Sequence, residues 1–257
     1  PPVTLDMCVA STQGTMAFLL QRALRNECQR SGVTCQAATV VTQVVVDADD
    51  PGFAEPTKPV GPFFNEFRAR ELIAKQGWRM VEDAGRGWRK VVASPRPMQI
   101  LEMEAIRDLI DSGHIVIAGG GGGIPVARDA DGELQGMEAV IDKDYTASII
   151  AREVRAHLFA ILTAVDRISI NFGRPDERPL RKLTETEAKR FLEEGQFPPG
   201  SMGPKVRAAI EFLEGGGREV IVTKDMSFEA ALDGEGGTTI VHEGLAEDWG
   251  GQQVLFW

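Results

Sequence analysis

Cysteines are scarce in this sequence, and long apolar runs are missing. The three cysteines, Cys8, Cys28 and Cys35, lie early in the chain at spacings that fit no metal-binding motif. We therefore expect thiols that pack as small buried hydrophobes, as in a reducing cytoplasm. No stretch approaches ~18 consecutive apolar residues and no signal peptide opens the chain, which argues against a membrane span. These observations predict a cytoplasmic protein that does not bind membranes.

An excess of positive charge is also lacking. The net charge is −10 over 257 residues, which disfavours binding to nucleic acid, so any polyanion must bind in a local basic pocket. No glycine-rich run leads into Gly-Lys-Ser or Gly-Lys-Thr, which excludes a P-loop, and none reads as a dinucleotide fingerprint. With 43% hydrophobic residues, the chain can bury a large core as one domain or one domain with an insertion.

Short apolar runs alternate with amphipathic stretches along most of the chain. The runs predict strands at residues 37–46, 114–118, 158–162 and 219–223. The amphipathic stretches predict a helix over residues 15–26 that ends near Ser31-Gly32, helices at 100–112 and 145–156, and one from about residue 203 onward. Strands separated by helices argue for a mostly parallel sheet covered on both faces. Residues 47–97 are rich in proline and glycine, with one helical stretch at 65–76, and predict an inserted lobe.

Lys205 lies in an unusual place for a lysine. Glycines and prolines precede an apolar helical pattern over residues 206–213, so the helix should begin near Gly203 and Lys205 should fall in its first turn. The helix dipole disfavours a cation there by roughly several tenths of a kcal/mol. Backbone N–H groups and an ammonium at one point are explained if an anion binds between them. The alternative is a solvated surface lysine.

Five consecutive glycines, residues 119–123, follow the apolar run at 114–118. Glycines allow the backbone to approach a ligand closely, and successive N–H groups can form an anion-binding nest. Ligands of open α/β sheets bind beyond the carboxyl ends of strands, where this loop and residues 163–166 are both placed. The alternative is a flexible surface turn.

A third candidate segment contains Asp142, Lys143 and Asp144 at the start of a predicted helix. Asp142 suits the N-cap and Asp144 the first turn, while Lys143 is again a cation at a helix start. A neighbouring carboxylate can hold an ammonium charged and aimed, as neutralising a transferring phosphoryl group requires. The alternative is a capped helix with an incidental charge pair.

These three segments, in this order, resemble the carbamate kinases of the amino-acid kinase superfamily. Further segments that resemble the family are LDMCVASTQG (5–14), ATVVTQ (38–43), PTKPVG (56–61), EDAGRGWR (82–89), SPRP (94–97) and GGTTIV (236–241). The resemblance runs from about residue 1 to 243 and implies one domain there. It implies a three-layer α/β/α sandwich with a mostly parallel central sheet and a protruding subdomain at about 47–97. The tail at 244–257 lies outside the resemblance.

The resemblance also implies a reaction, reversible phosphoryl transfer between ATP and carbamate that gives ADP and carbamoyl phosphate. It implies Mg²⁺ on the nucleotide, a homodimer, no nucleic acid or membrane partner, and no metal ligands on the protein. The implied catalytic residues are Lys143, Asp144 and Lys205. The implied substrate-binding residues are Lys58, Gly120, Gly121, Gly122 and Gly123. The implied nucleotide-binding residues are Thr163, Asp166, Phe172, Ser201, Met202 and Gly203. We expect Arg86 and Arg89 to form salt bridges in the lobe.

The sequence departs from the family pattern in two ways. A first strand with a Gly-Gly-Asn turn and a later Gly-Asn-Gly-Pro loop are missing, so we expect a fragment that lacks the first strands of the sheet. Ala164 stands where the family usually has aspartate, which predicts weaker ribose or metal contacts. Two alternatives therefore stay open: a superfamily member with another acidic acceptor, and a catalytically impaired nucleotide-binding or assembly subunit derived from a carbamate kinase.

Overall fold

The computed structural model describes residues 3–83 and 85–243. The chain divides into two compact units, with the boundary between Ile150 and Ala151. No helix in these two described ranges is both long enough and apolar enough to cross a membrane. The predicted tail at 244–257 lies outside the described residues.

The first unit contains five helices and nine strands among its described residues. In chain order they are α1 (Leu5–Arg30), β1 (Ala37–Thr39), β2 (Gln43–Val46), α2 (Pro51–Ala54), β3 (Lys58–Phe64), α3 (Glu66–Gln76), β4 (Met80–Glu82), β5 (Trp88–Val92), β6 (Pro97–Ile100), α4 (Met103–Asp111), β7 (Ile115–Ile117), β8 (Ile124–Arg128), β9 (Leu134–Gly136) and α5 (Lys143–Glu153), whose last three residues belong to the second unit. A 3₁₀ turn spans Gly120–Gly122, between β7 and β8.

Three sheets form in this unit. One has the order β6-β2-β8-β9, in which β2 and β8 are parallel and the two outer pairs are antiparallel. A second is the parallel pair of β1 and β7. Helix α1 packs against β1, β8 and the 3₁₀ turn, and α4 packs against β7. The predicted strand at 37–46 is therefore two strands, β1 and β2, in different sheets. Residues 40–42 lead from the β1-β7 pair to the four-stranded sheet.

Helix α1 begins ten residues before the predicted start at residue 15. It runs through Gly14, which normally costs a helix roughly 1 kcal/mol. The burial of Val9, Gln13 and Ala17 along one face compensates for that cost. The N–H of Leu5 at the helix start also donates to Glu138 Oε1 at 3.0 Å. Tertiary packing thus extends the helix beyond what local propensity indicates.

The predicted lobe contains the third sheet, antiparallel in the order β3-β5-β4. Helix α3 begins at Glu66, one residue after the predicted start. The side chain of its N-cap residue, Asn65, accepts from the N–H of Arg68, and its C-cap residue, Gly77, has φ +67°. Ala69, Leu72 and Met80 form a small buried cluster. Phe64, Trp78 and Trp88 pack around that cluster.

The second unit contains, in chain order, β10 (Leu158–Leu162), β11 (Ser169–Ile170), β12 (Arg178–Pro179), β13 (Lys182–Thr184), α6 (Glu185–Glu193), α7 (Met202–Glu214), β14 (Glu219–Thr223), α8 (Phe228–Leu232) and β15 (Thr238–Val241). Its main sheet has the order β10-β14-β15-β13. The outer pairs are parallel, and β14 with β15 is antiparallel. Helix α7 packs against α6, β10 and β14. The predicted strands at 158–162 and 219–223 are confirmed at their stated bounds.

The core of this unit lies between α7 and the sheet. Val206 and Phe212 on α7 are fully buried, as are Val220 and Val222 on β14. The rings of Phe159 and Phe212 lie 5.4 Å apart between centroids. Helices therefore cover parallel strand pairs, and the predicted α/β class with mostly parallel strands is confirmed.

The cysteine prediction is wrong. Cys28 and Cys35 form a disulfide, with Cα atoms 6.1 Å apart, and Cys8 is exposed. Helix α1 ends at Arg30, Gly32 takes φ +67°, and the N–H of Val33 donates to the carbonyl of Cys28. This reversal returns the chain beside the last turn of the helix. The pairing depends on where α1 ends, which the cysteine spacing does not reveal.

Candidate active site

The glycine turn at 119–123 has two different parts. Gly122 and Gly123 are buried, with φ of +97° and +90°. A Cβ on Gly122 would lie 2.3 Å from the Ile141 carbonyl oxygen, and one on Gly123 would lie 2.2 Å from Val44 Cγ2. Only glycine fits these two positions. Gly120 and Gly121 are exposed, so they are the part of the turn that can meet a ligand.

Buried polar side chains from three segments hold this turn. Gln13 Nε2 donates to the Gly120 carbonyl at 3.0 Å, and Thr42 Oγ1 accepts from the N–H of Gly119 at 2.9 Å. Thr146 Oγ1 donates to the Gly122 carbonyl at 2.7 Å. The N–H groups of Gly122 and Gly123 donate within the turn. None of these bonds uses the N–H groups of Gly120 and Gly121, the two exposed residues of the turn, which are the groups that an anion-binding nest would use.

Lys143 and Asp144 begin helix α5, whose Thr146 is bonded to the glycine turn. Asp142 occupies the N-cap position as predicted, and its Oδ1 accepts from the N–H of Asp144 at 3.0 Å. The Lys143 Nζ lies 3.8 Å from Asp144 Oδ2, with side-chain exposures of 62% and 8%. A buried carboxylate thus lies beside an ammonium that reaches solvent. Both belong to the first turn of the helix whose Thr146 is bonded to the glycine turn.

Lys58, on strand β3, comes to the same helix start. Its Nζ donates to Asp142 Oδ2 at 2.6 Å. Burial opposes ionisation of Asp142, but the bonds from Lys58 and the Asp144 N–H, with the charges of Lys58 and Lys143, hold the pKa of that carboxyl below its ordinary value. The first unit therefore gathers three of the predicted side chains and the glycine turn.

Arg86 and Arg89 take the structural role that the sequence predicted. Both pair with Asp83, at 3.0 and 3.3 Å. Their guanidinium carbons lie 4.9 and 5.1 Å from the centre of the Phe63 ring. Each is an internal contact of the lobe segment.

The second unit contains a cavity of about 400 Å³ at the carboxyl end of β10. Five predicted residues line it: Thr163, Phe172, Ser201, Met202 and Lys205. Ala164 lines it as well. Phe172 is 63% exposed and follows Asn171, which has φ +54°. Asparagine tolerates that left-handed conformation, and the turn places the ring at the cavity.

Lys205 is only 9% exposed, which excludes the alternative of a solvated surface lysine. Helix α7 begins at Met202, one residue before the predicted start. The N–H of Gly203 donates to the Pro198 carbonyl at 2.9 Å, and a Cβ on Gly203 would lie 3.0 Å from that oxygen. Gly203 therefore shapes the turn that leads into the helix and does not line the cavity. Asp166 also lies outside the lining, with its Oδ2 3.8 Å from Arg167 Nε.

Sequence reasoning missed several residues of this cavity. Arg167 lines it, with its guanidinium donating to the carbonyls of Gly237 and Glu235 at 3.1 Å each. Ser169 and Phe197 line it too. The position of Arg167 just after β10 is a signal that could have found it, because strand ends meet at one sheet edge. Phe197 gives no comparable local signal.

Comparison with known proteins gives the family. The model of the amino acid kinase family matches residues 6–224. The chain therefore belongs to the amino acid kinase family.

Within that family it groups with the carbamate kinases. The carbamate kinase of Thermococcus kodakarensis is 50% identical over 95% of this chain and 77% of that protein. The carbamate kinase of Clostridium perfringens is 46% identical over 94% of this chain and 77% of that protein. Among solved structures, the carbamate kinase from Giardia lamblia bound to AMP-PNP is 41% identical, with a TM-score of 0.84 over 95% of this chain and 77% of that one.

Proposed function

We propose that this chain is a carbamate kinase, which transfers a phosphoryl group reversibly between ATP and carbamate. One observation supports the transfer step most directly. The helix that begins with Lys143 and Asp144 is bonded through Thr146 to the glycine turn whose Gly120 and Gly121 are exposed. An ammonium on the helix that is bonded to a glycine turn suits a phosphoryl group that carries negative charge.

The proposed reaction needs little covalent chemistry from the protein. A carbamate oxygen bonds to the γ-phosphorus as the bond from that phosphorus to the bridging oxygen breaks, and the electron pair passes to ADP. Lys143 and Lys205 would neutralise the charge on the transferred group, and Asp144 would orient the ammonium of Lys143. Gly120 and Gly121 would donate N–H groups to phosphate oxygens, and Lys58 would bind the small substrate.

The cavity of the second unit is proposed to bind the nucleotide. Phe172, Phe197 and Met202 supply apolar surface for a base, and the hydroxyls of Thr163 and Ser201 are available for polar groups. The likeness to a carbamate kinase that binds AMP-PNP supports this assignment. Lys205, at the first turn of α7, would meet a phosphate.

Mg²⁺ is proposed to arrive with the nucleotide as part of the substrate. Within residues 3–83 and 85–243, no group of three or more histidine, cysteine, aspartate or glutamate side chains could hold a metal ion. Nucleotide phosphate oxygens suit Mg²⁺, which usually keeps few protein ligands. Bound there, the ion would neutralise phosphate charge. We also propose a homodimer, which rests on the resemblance, a cytoplasmic location, and a subdomain at residues 47–97, which rests on the proline- and glycine-rich composition of that segment as well as on the resemblance.

The test is ATP formation from ADP and carbamoyl phosphate, followed with a coupled spectrophotometric assay. The protein is produced from its complete reading frame and assayed with MgCl₂. We expect ATP to form with carbamoyl phosphate and not with acetyl phosphate or an N-acetylated acyl phosphate at equal concentration. Nucleotide binding without turnover would contradict the proposal and indicate an impaired subunit. Turnover with another donor only would indicate a different acceptor.

A further inference from the structure

The two carboxylate oxygens of Asp142 accept hydrogen bonds from different partners. Its Oδ1 accepts from the backbone N–H of Asp144 at 3.0 Å, which caps helix α5. Its Oδ2 accepts from Lys58 Nζ at 2.6 Å. The side chains of Lys58 and Asp142 are 29% and 15% exposed, so this ion pair is largely shielded from solvent. A plain N-cap would need only the first of these contacts.

Backbone contacts bring the two partners together. Lys58 is the partner of Val92 in the register of β3 and β5. The next residue, Ala93, forms a bridge with Ala139, and the N–H of Val140 donates to the Ala93 carbonyl at 3.0 Å. The end of the lobe sheet is therefore fixed to the segment that leads into α5. These backbone contacts bring strand β3 close enough to the start of α5 for the Lys58 side chain to reach Asp142.

The charges around Asp142 show what the pair achieves. Lys58 and Lys143 both act electrostatically on its carboxylate. One carboxylate thus lies close to two cations that the proposed mechanism assigns to the substrate and to the transferred group. Without it, two like charges near one helix N-terminus would repel each other and the positive end of the dipole. Its negative charge allows both cations to stay near the start of α5.

We propose that Asp142 is a positioning residue that fixes Lys58 at the start of α5, beside Lys143 and Asp144, for binding the small substrate. This inference rests on the proposed function and deepens it. Asp142 acts through Lys58 and has no contact of its own with reacting atoms. The place of the substrate-binding lysine is thus set from helix α5 as well as from its own strand.

The test variant is Asp142→Asn, which keeps an oxygen for the Asp144 N–H and loses the charge that holds Lys58. We expect the KM for carbamoyl phosphate to rise about tenfold, as loss of one charge-assisted hydrogen bond predicts, while the KM for ADP changes less than about twofold. In a Lys58→Met background the same change should add no further rise, because the two residues act as one unit. Asp83→Asn removes another lobe ion pair and should leave both constants unchanged.

Asp142→Ser serves as a second variant, since serine also caps helices and its hydroxyl is too short to pair with Lys58. It should raise the same KM, with thermal melting recorded for every variant to separate folding from binding. An unchanged KM in a folded Asp142→Asn protein, or a full additional rise in the Lys58→Met background, would overturn the inference alone. If the wild-type protein forms no ATP, the proposed function fails, and the inference falls with it.

Discussion

The two units of this chain bury their lysines to different depths. In the first unit, Lys58 and Lys143 lie beside the carboxylates of Asp142 and Asp144, and Lys143 keeps most of its side chain in solvent. In the second unit, Lys205 is 9% exposed and lines a cavity with apolar side chains. Water screens the charge of an exposed ammonium, whereas a low-dielectric wall strengthens the pull of a buried ammonium on an anion.

The largest effect is expected from the buried lysine. Lys205→Ala should lower turnover by ~10²-fold or more with the fold intact, because a preorganised charge contact is typically worth ~2.7–4 kcal/mol in a transition state. Steady-state kinetics with ADP and carbamoyl phosphate measures it. Lys189→Ala is the matched control, since Lys189 pairs with Glu185 and Glu214 and lies outside the cavity lining. A near-normal rate in Lys205→Ala would remove this lysine from the mechanism.

Two substitutions in the glycine turn of the first unit compare the stability cost at a buried position with that at an exposed one. Gly123→Ala should lower the free energy of unfolding by about 3 kcal/mol, because of positive-φ strain and a clash with buried Val44. Gly120→Ala should cost less, about 1 kcal/mol, since the nearest atom to its Cβ would be Gln13 Cγ at 3.2 Å and its φ is outside the left-handed region. Urea unfolding measures both. Equal losses would contradict the division of the turn into a buried and an exposed part.

Ala164 offers a smaller test of the second unit. Ala164→Asp restores the family's usual carboxylate at the cavity wall, and we expect the KM for ADP to fall roughly threefold through one added hydrogen bond. Val165→Asp, at the adjacent lining position, is the control and should not tighten binding. A higher KM in Ala164→Asp would show that a carboxylate at this position does not contact the nucleotide in this chain.

The smallest effect concerns the pH dependence of stability. The pKa of Asp142 is lowered in the folded protein, so its stabilising contribution is present above its ordinary value of 3.8 and is lost as pH falls through the folded-state pKa. The stability difference between wild type and Asp142→Asn should therefore shrink in acid. Urea unfolding well above and well below that ordinary value tests this. If the stability difference between wild type and Asp142→Asn grew as the pH fell, the pKa of Asp142 would not be lowered in the folded protein.

Local signals predicted much of the fold and part of the site. Strands β10 and β14 have the predicted bounds, because short apolar runs between polar breaks leave little choice of register or length. Asp142 caps α5 as expected, since capping depends on two or three residues only. The buried lysine at the start of α7 was also indicated by its position in the first turn of a helix.

Local sequence patterns did not predict contacts between residues that are distant in the sequence. Helix α1 ends at Arg30, close to the predicted end near Ser31-Gly32, but the sequence did not show that this reversal pairs Cys28 with Cys35. The hydrogen bond from Gln13 to the Gly120 carbonyl joins residues 107 positions apart, and the predicted helix, which began at residue 15, did not include Gln13. Such partners depend on which surfaces pack together.

The sequence by itself determined the alternation of strands and helices, the glycine turn that follows a strand, and the lysines in the first turns of α5 and α7. Each of these depends on conformational preferences within a few residues. The tertiary structure decided which cations have carboxylate partners and how deeply each is buried. The bond between Lys58 and Asp142 joins residues 84 positions apart. The bridge between Ala93 and Ala139 brings together the two segments that carry these residues. The sequence of neither segment indicates that it packs against the other.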